Sequence, residues 1–222
     1  MVNFNGNTVF RNNSAKYGGG IHVQGSALNL NGSSIFKNNS AALQGGGILA
    51  SYNTLVYFIG DSIFRNNSTK YGGGLYAYSS TLKFNGSITF ENNSAANFGG
   101  GIATGKTLMT FNGNNIFRNN LSARFGGGIV AMNRTLITFN GNSIFRNNSA
   151  CSGGGILVED NILMAFNGRN LFGDNTAEFG GGIYTWNSTL NFSGNSNFGN
   201  NLAVTRGGGI FCSGQHSLDF QW

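Results

Sequence analysis

An all-β, right-handed parallel β-helix of about eight coils, repeating with a period of 27 and uncapped at both ends, is the fold class this sequence predicts. Three observations predict it. A glycine triplet with an apolar residue behind it begins at Gly18, Gly45, Gly72, Gly99, Gly126, Gly153, Gly180 and Gly207, a constant step of 27 in the numbering. Between triplets runs a block Phe-x-Gly-x-x-x-Phe-x-x-Asn, whose second Phe and Asn fall at Phe10/Asn13, Phe36/Asn39, Phe64/Asn67, Phe90/Asn93, Phe117/Asn120, Phe145/Asn148, Phe172/Asn175 and Phe198/Asn201. A Leu introducing an apolar pair recurs at Leu28, Leu55, Leu82, Leu108, Leu136, Leu163, Leu190 and Leu218. One fixed period repeated eight times is the signature of a solenoid.

The period alone leaves the type of repeat open. A helical repeat would lose roughly 3 kcal/mol of helix propensity at each glycine triplet, and no stretch sustains a 3.6-residue apolar period. A leucine-rich repeat has a comparable length, but its L-x-x-L-x-L core is missing. Collagen needs Gly at every third position. Three short apolar segments per repeat, separated by Gly, Asn and Ser, leave three strands per coil of a parallel β-helix, right-handed because parallel crossovers are overwhelmingly so.

Each segment then has a place. Strands stack on their own copies about 4.8 Å away, turning each position into a column of like residues. Ile21, Ile48, Leu75, Ile102, Ile129, Ile156, Ile183 and Ile210 point inward, and so, two residues on, does the small column Val23, Ala50, Ala77, Thr104, Ala131, Val158, Thr185 and Cys212. The Leu and Phe columns are expected to complete a dry core. Inward Asn residues such as Asn13, Asn39 and Asn67 can bond one another along the axis, offsetting the cost of burying an amide. From the last Gly of a triplet to the next second Phe the spacing takes a shorter value, as from Gly20 to Phe36, or one longer by a single residue, as from Gly47 to Phe64. From that Phe to the following triplet, as from Phe36 to Gly45 or from Phe64 to Gly72, it varies in the opposite sense. The two always compensate, so a bulge on one side is cancelled on the other.

Composition agrees. The 222 residues are 40% hydrophobic and 9% charged, without proline. No linker or shift of composition interrupts residues 1–222, which read as a single β-helix domain. The neutral, hydrogen-bonding coat of Gly, Asn and Ser suits an extracellular or cell surface. No apolar run reaches the ~18 residues of a membrane span, and Met-Val-Asn-Phe is no signal peptide, so a targeting signal would lie outside this sequence. Phe4 and Phe220 occupy the same position of the repeat, eight whole periods apart. The uncapped ends read either as those of a segment of a longer solenoid or as ends that cover each other, and in the second case Phe4, Gly6, Leu218, Phe220 and Trp222 are the candidates for head-to-tail stacking into a filament.

Candidate chemistry is sparse. The acidic residues are Asp61, Glu91, Glu159, Asp160, Asp174, Glu178 and Asp219. Glu159-Asp160 is the one adjacent pair, while Asp174 and Glu178 flank a corner with no carboxylate above or below. Glycan cleavage calls for converging carboxylates, so no catalytic residue is assigned. Cys151 and Cys212 lie in different columns two coils apart, too far for a disulfide, and read as buried or incidental thiols. His22 and His216 are isolated, and no metal or cofactor site is expected.

Arg11, Lys37, Arg65, Arg118 and Arg146 occupy the outward position after the second Phe, with Glu91 interrupting. Such a ridge could attract acidic glycans, lipopolysaccharide or nucleic acid, or serve edge protection and solubility. Asn-x-Ser/Thr sequons stand at Asn12, Asn31, Asn38, Asn66, Asn85, Asn92, Asn120, Asn133, Asn147, Asn187 and Asn191. Of these Asn12, Asn38, Asn66, Asn85, Asn133 and Asn187 are the glycosylation candidates. Thr54, Thr81, Thr107, Thr135 and Thr189 form a column before the Leu. An ice-binding face would need a second Thr rank.

The alternation of Gly-Gly-Ile/Leu with Phe-x-x-Asn, from Phe10-x-x-Asn13 and Gly19-Gly20-Ile21 to Phe198-x-x-Asn201 and Gly208-Gly209-Ile210, resembles the repeat of chlamydial polymorphic outer membrane proteins. The resemblance implies an autotransporter-like β-helix passenger, non-enzymatic, exposed at the cell surface and adhesive toward host cells. Its partners would be host or surface glycans, or copies of itself. A glycan-binding or glycan-cleaving module is the alternative, and ice binding a further one.

Overall fold

The computed structural model describes residues 1–214 and the backbone of the strand Ser217–Phe220. It is an all-β solenoid of parallel ladders, each strand pairing with its counterparts in the neighbouring coils, as Thr8 does with Ser34, Leu75 with Ile48 and Asn115 with Ser143. A representative coil runs Ser94–Phe98, Ile102–Gly105, Leu108–Phe111 and Asn115–Arg118. Such a coil carries four strand segments, one more than the apolar pattern suggests, and between Arg146 and Ile156 the fourth is reduced to isolated bridges at Ser149 and Ser152. The additional one begins at the Ser after the inward Asn, as in Ser40–Gln44 and Ser94–Phe98, and turns only a small residue inward: Ala41, Ala95, Ser122 or Ala177. Small side chains leave no periodic apolar signal to read.

The segments behind the triplet and the Leu segments belong to one 15-stranded sheet, because they merge into the single strands Ile48–Phe58 and Leu75–Phe84. The Phe-x-x-Asn segments make an eight-stranded sheet, and the Ser segments a five-stranded and a two-stranded one joined by isolated bridges through Ser149.

The core is two stacks of phenylalanine meeting edge to face. In one, Phe58, Phe84, Phe111 and Phe139 follow at centroid spacings of 4.5, 4.5 and 4.6 Å, nearly parallel. In the other, Phe36, Phe64 and Phe90 follow at 4.6 Å each. Across the two, Phe139 and Phe145 lie 6.0 Å apart at 87°. Stacked along the axis and T-shaped across it, the rings satisfy their quadrupoles in both directions. Each fully buried ring contributes roughly 1.5–3 kcal/mol. The Ile column and its small companion are buried as the alternation requires, from Ile48 and Ala50 to Ile183 and Thr185.

The Leu column does not hold as one column. Leu28, Leu82 and Leu190 are buried, but the register sets them beside Val56, Met109, Ile137 and Met164. Leu55, Leu108, Leu136 and Leu163 instead pair with Ala27, Thr81 and Thr189 on the outside, 39% to 46% exposed. In a strand, one residue of slip turns a side chain to the other face. The Thr column divides likewise. Thr54, Thr107 and Thr135 are buried at the corner, and only Thr81 and Thr189 lie on the outer rank.

The corner between these segments explains the slip at Leu55, Leu136 and Leu163, whereas Leu108, in a coil that turns on the single left-handed Lys106, faces outward because it stands one position earlier after its triplet. Coils with the shorter spacing from triplet to Phe turn there on one left-handed residue, such as Ser79 or Lys106, and coils with the longer spacing use two: Tyr52-Asn53, Asn133-Arg134 and Asp160-Asn161. The compensating residue lies on the Ser segment, where register shifts separate Ala15↔Ala41 from Tyr17↔Gln44 and Thr69↔Ala95 from Tyr71↔Phe98. The expected bulge and its cancellation are therefore at opposite sides of the coil.

The two asparagines of each Asn-Asn pair do different work. The first is exposed and left-handed, with φ 59° at Asn12, 55° at Asn38 and 54° at Asn92, a conformation that Asn tolerates better than most residues. The second is buried and laddered. Asn67 Nδ2 donates to Phe36 O at 2.8 Å and to Asn93 Oδ1 at 3.0 Å, while its own Oδ1 accepts from the backbone N and Nδ2 of Asn39 at 2.9 and 3.1 Å. Every donor and acceptor of that amide is used, which removes the penalty of burying it.

The triplet needs three glycines for separate reasons. Gly72 has φ +70°. A Cβ on Gly73 would strike Gly100 O and Ser94 of the next coil, and one on Gly74 would meet the Phe90 ring at 2.7 Å.

Candidate binding groove

The glycine triplet makes a re-entrant corner. Outward side chains just before it form the column Tyr17, Gln44, Tyr71, Phe98, Phe125, Ser152 and Phe179, held in register by the Ser segments and their bridges. Outward side chains just after it are His22, Leu49, Tyr76, Ala103, Val130, Leu157, Tyr184 and Phe211. Although both columns are outside the sheet, they close on each other. Ala103, Val130 and Leu157 are buried there, packed with Tyr76, Phe98, Phe125, Met132 and Tyr184 in a second apolar cluster separate from the core. Desolvating these side chains drives the seam shut.

Toward the first coils the seam opens into two cavities of about 370 and 350 Å³. Tyr17, His22, Gln24, Ser51 and Tyr52 line the first, Tyr71, Phe98, Val130 and Met132 the second, and Gln44, Tyr76 and Tyr78 line both. Burial, then the neighbouring phenols of Tyr78, Tyr52 and Tyr71, push the Tyr76 phenol above its ordinary pKa. Three ammonium groups rim the groove, each over an aromatic ring: Lys16 over Tyr17 at 5.5 Å, Lys70 over Tyr71 at 5.6 Å and Lys106 over Tyr78 at 5.7 Å. No Asp or Glu lines either cavity.

Sequence reasoning missed this groove. Its columns change identity from coil to coil, so no repeated letter marks them, and whether an outward residue meets another depends on the bend at the glycines. The Tyr-rich positions around the first three triplets, Tyr17, Tyr52, Tyr71, Tyr76 and Tyr78, were the available signal.

Of the sites read from the sequence, the basic column is real as a column: Arg11, Lys37, Arg65, Glu91, Arg118 and Arg146 stand in one register. Glu91 bridges rather than merely interrupts it, binding Arg65 at 2.7 Å and Arg118 at 2.8 Å. Arg146 is taken by Asp174 at 2.9 Å. Paired in this way, the ridge projects much less positive potential than five like charges would.

Among the sequons, Asn120 is buried in the ladder and closed to modification. Asn38 and Asn66 spend Nδ2, the atom a glycan would occupy, on the amides of Asn12 and Asn38. Asn85 accepts from Asn112 through Oδ1, and Asn133 stands exposed at a left-handed corner with Asn187, less exposed, at the equivalent one. Of the head-to-tail candidates, Phe4 and Gly6 lie at the first coil, and strand pairing places the backbones of Leu218 and Phe220 beside Leu190 and Phe192. Trp222 and His216 lie outside the described residues.

Among the described residues carboxylates do not converge. Glu159 is pushed above the usual carboxylate range, first by burial and then by Asp160, and its column neighbours are Met132 and Trp186. Glu178 accepts from the Cys151 thiol at 3.6 Å. That thiol is exposed, not buried, and both cysteines are free. Among the described residues no group of three His, Cys, Asp or Glu could hold a metal ion, and no helix is long and apolar enough to cross a membrane.

The model of the Chlamydia polymorphic membrane protein repeat matches residues 2–24, 33–51, 61–78 and 87–105, and these four stretches are similar to the repeat of that family. Each matched stretch joins a Phe-x-x-Asn segment to the following glycine triplet, the two elements that set the ladder and the re-entrant corner. No curated protein and no solved structure matches the chain.

Proposed function

We propose that this chain is the surface-exposed β-helical part of an outer-membrane protein, non-enzymatic, whose task is adhesion through the outer columns of the rod. Repeats of this type mark surface-exposed β-helical membrane proteins, which supports the location. The single observation that carries the adhesive reading is the distribution of polar chemistry. The core polar side chains of the Asn ladder are satisfied internally and Glu159 has only Asp160 for company, whereas an open aromatic groove remains for a partner. A cleaving enzyme would need an acid and a base across one scissile bond.

Head-to-tail stacking belongs to the same proposal. Its support is the strand register that sets the backbones of Phe4 and Phe220 in equivalent positions, so that a coaxial copy could continue the ladder. Adhesion is tested by flow cytometry of labelled rod on host epithelial cells. Saturable binding, competed by unlabelled rod, is expected; binding no greater than that of an unrelated β-helix overturns it. Stacking is tested by sedimentation at rising concentration, where growth into end-to-end species is expected and an unchanging monomer overturns it.

A further inference from the structure

The groove beside the glycine triplets combines features found together where saccharides are bound. Tyr17, Tyr52, Tyr76 and Tyr78 offer ring faces, on which the C–H face of a sugar can lie. Gln24, Gln44 and Ser51 add amide and hydroxyl groups, and none of their side chains has a hydrogen-bond partner among the described residues. Apolar walls with a few convergent polar groups are the usual composition of a ligand site.

Charge narrows the class of ligand. Lys16, Lys70 and Lys106 rim the groove on three different coils, and no carboxylate lines either cavity. The two cavities share Gln44, Tyr76 and Tyr78, so they form one lane running along the axis rather than a closed pocket. A lane suits a chain molecule, and repeated cations suit a chain with repeated anions.

We infer that this lane, bounded by Tyr17, Gln44, Tyr52, Tyr76 and Tyr78 and rimmed by Lys16, Lys70 and Lys106, is a binding site for an acidic glycan chain, carboxylated or sulfated. This deepens the adhesive reading and rests on it. The basic column on the Phe sheet is the competing location, and it is weaker because Glu91 and Asp174 already hold three of its five cations.

The test is calorimetric titration of the full chain with a heparin hexasaccharide, a hyaluronan hexasaccharide and a neutral β-glucan hexasaccharide. At least one acidic probe is expected to bind, better than the neutral one and more weakly as salt rises; heparin alone would identify sulfate as the recognised group and hyaluronan carboxylate. The triple variant Lys16→Gln, Lys70→Gln, Lys106→Gln touches only exposed side chains and is expected to lose about tenfold or more in affinity. Tyr52→Ser with Tyr78→Ser should lose a similar factor, and Lys37→Gln with Arg146→Gln should change nothing. Failure of both acidic probes to bind, affinity unmoved by the lysine variant, or affinity lost in the ridge variant would overturn the inference. Cells stripped of acidic glycans by glycosidases separate it from the adhesive reading. Undiminished adhesion to stripped cells overturns the glycan assignment alone, whereas hexasaccharide binding without any cell binding overturns adhesion and leaves the groove.

Discussion

Asn67 gives both its backbone N–H and its side-chain Nδ2–H to the single Oδ1 of Asn93, each at 3.0 Å. Asn93 repeats the gesture toward Asn120 at 3.1 Å, and the chain of amides continues from Asn13 to Asn201. Asn93→Ala removes that acceptor together with the Nδ2 donor to Phe64 O. Four groups then lose a partner: Asn67 N and Nδ2, Phe64 O and Asn120 Oδ1. Asn67 Nδ2 and Asn120 Oδ1 each keep one other bond, and a buried group left unpaired costs about 1–3 kcal/mol. The expected outcome is a drop of at least about 3 kcal/mol in urea unfolding. Asn92→Gly, one residue away at a left-handed exposed turn, should change stability by less than about 1 kcal/mol.

The middle glycine of a triplet separates steric from conformational need. Gly73 has ordinary backbone geometry, yet a Cβ there would run into Gly100 O and Ser94. Gly73→Ala should therefore be among the most damaging single-methyl additions in the chain, costing at least about 1–3 kcal/mol through overpacking. Circular dichroism melts would show it as a lowered transition, and Gly6→Ala, with nothing near its Cβ site, is the matched control.

Glu91 is held between Arg65 and Arg118 while both guanidinium groups remain accessible enough for solvent to screen them. Glu91→Gln should cost less than about 1 kcal/mol. The same change frees two guanidinium groups in a column that also holds Lys37 and Arg11. Retention on a sulfonate cation-exchange resin is expected to rise, and an unchanged elution would mean that the ridge does not present its charges together.

Glu159 gives a pH signature. Its folded pKa is raised above 4.5 by burial and by Asp160, so folding favours its protonated form. That contribution is fully present below the unfolded value and is lost as pH rises through the folded value. Glu159→Gln should raise the melting temperature at neutral pH, and the gain should vanish below about pH 4.5. A gain that is the same at both pH values would place the effect elsewhere.

What the sequence determined by itself is the architecture along the axis. A period of 27 with glycine, phenylalanine and asparagine in fixed places leaves a parallel solenoid as the solution that stacks like on like. It also marks which Asn is inward, since Asn13 and Asn39 sit three residues beyond an inward Phe. Column identity was legible wherever one residue type recurs, as in the Ile column and the basic column. It failed where two residue types alternate. Leu55 and Leu82 share a letter but not a face, because the corner before Leu55 takes one more left-handed residue and strand alternation converts that into an inversion.

The geometry across the axis was decided only by the tertiary structure. The fourth strand segment is invisible in sequence because its inward residues are Ala and Ser. The groove depends on the angle at the triplet, which brings Tyr17 and Tyr71 in one column toward His22 and Tyr76 in another. Periodicity reports which residues are stacked, since stacking is a relation between equivalent positions. Facing across a bend is a relation between inequivalent positions, and it is set by backbone angles at glycines whose repeated letters are the same whichever way the chain turns.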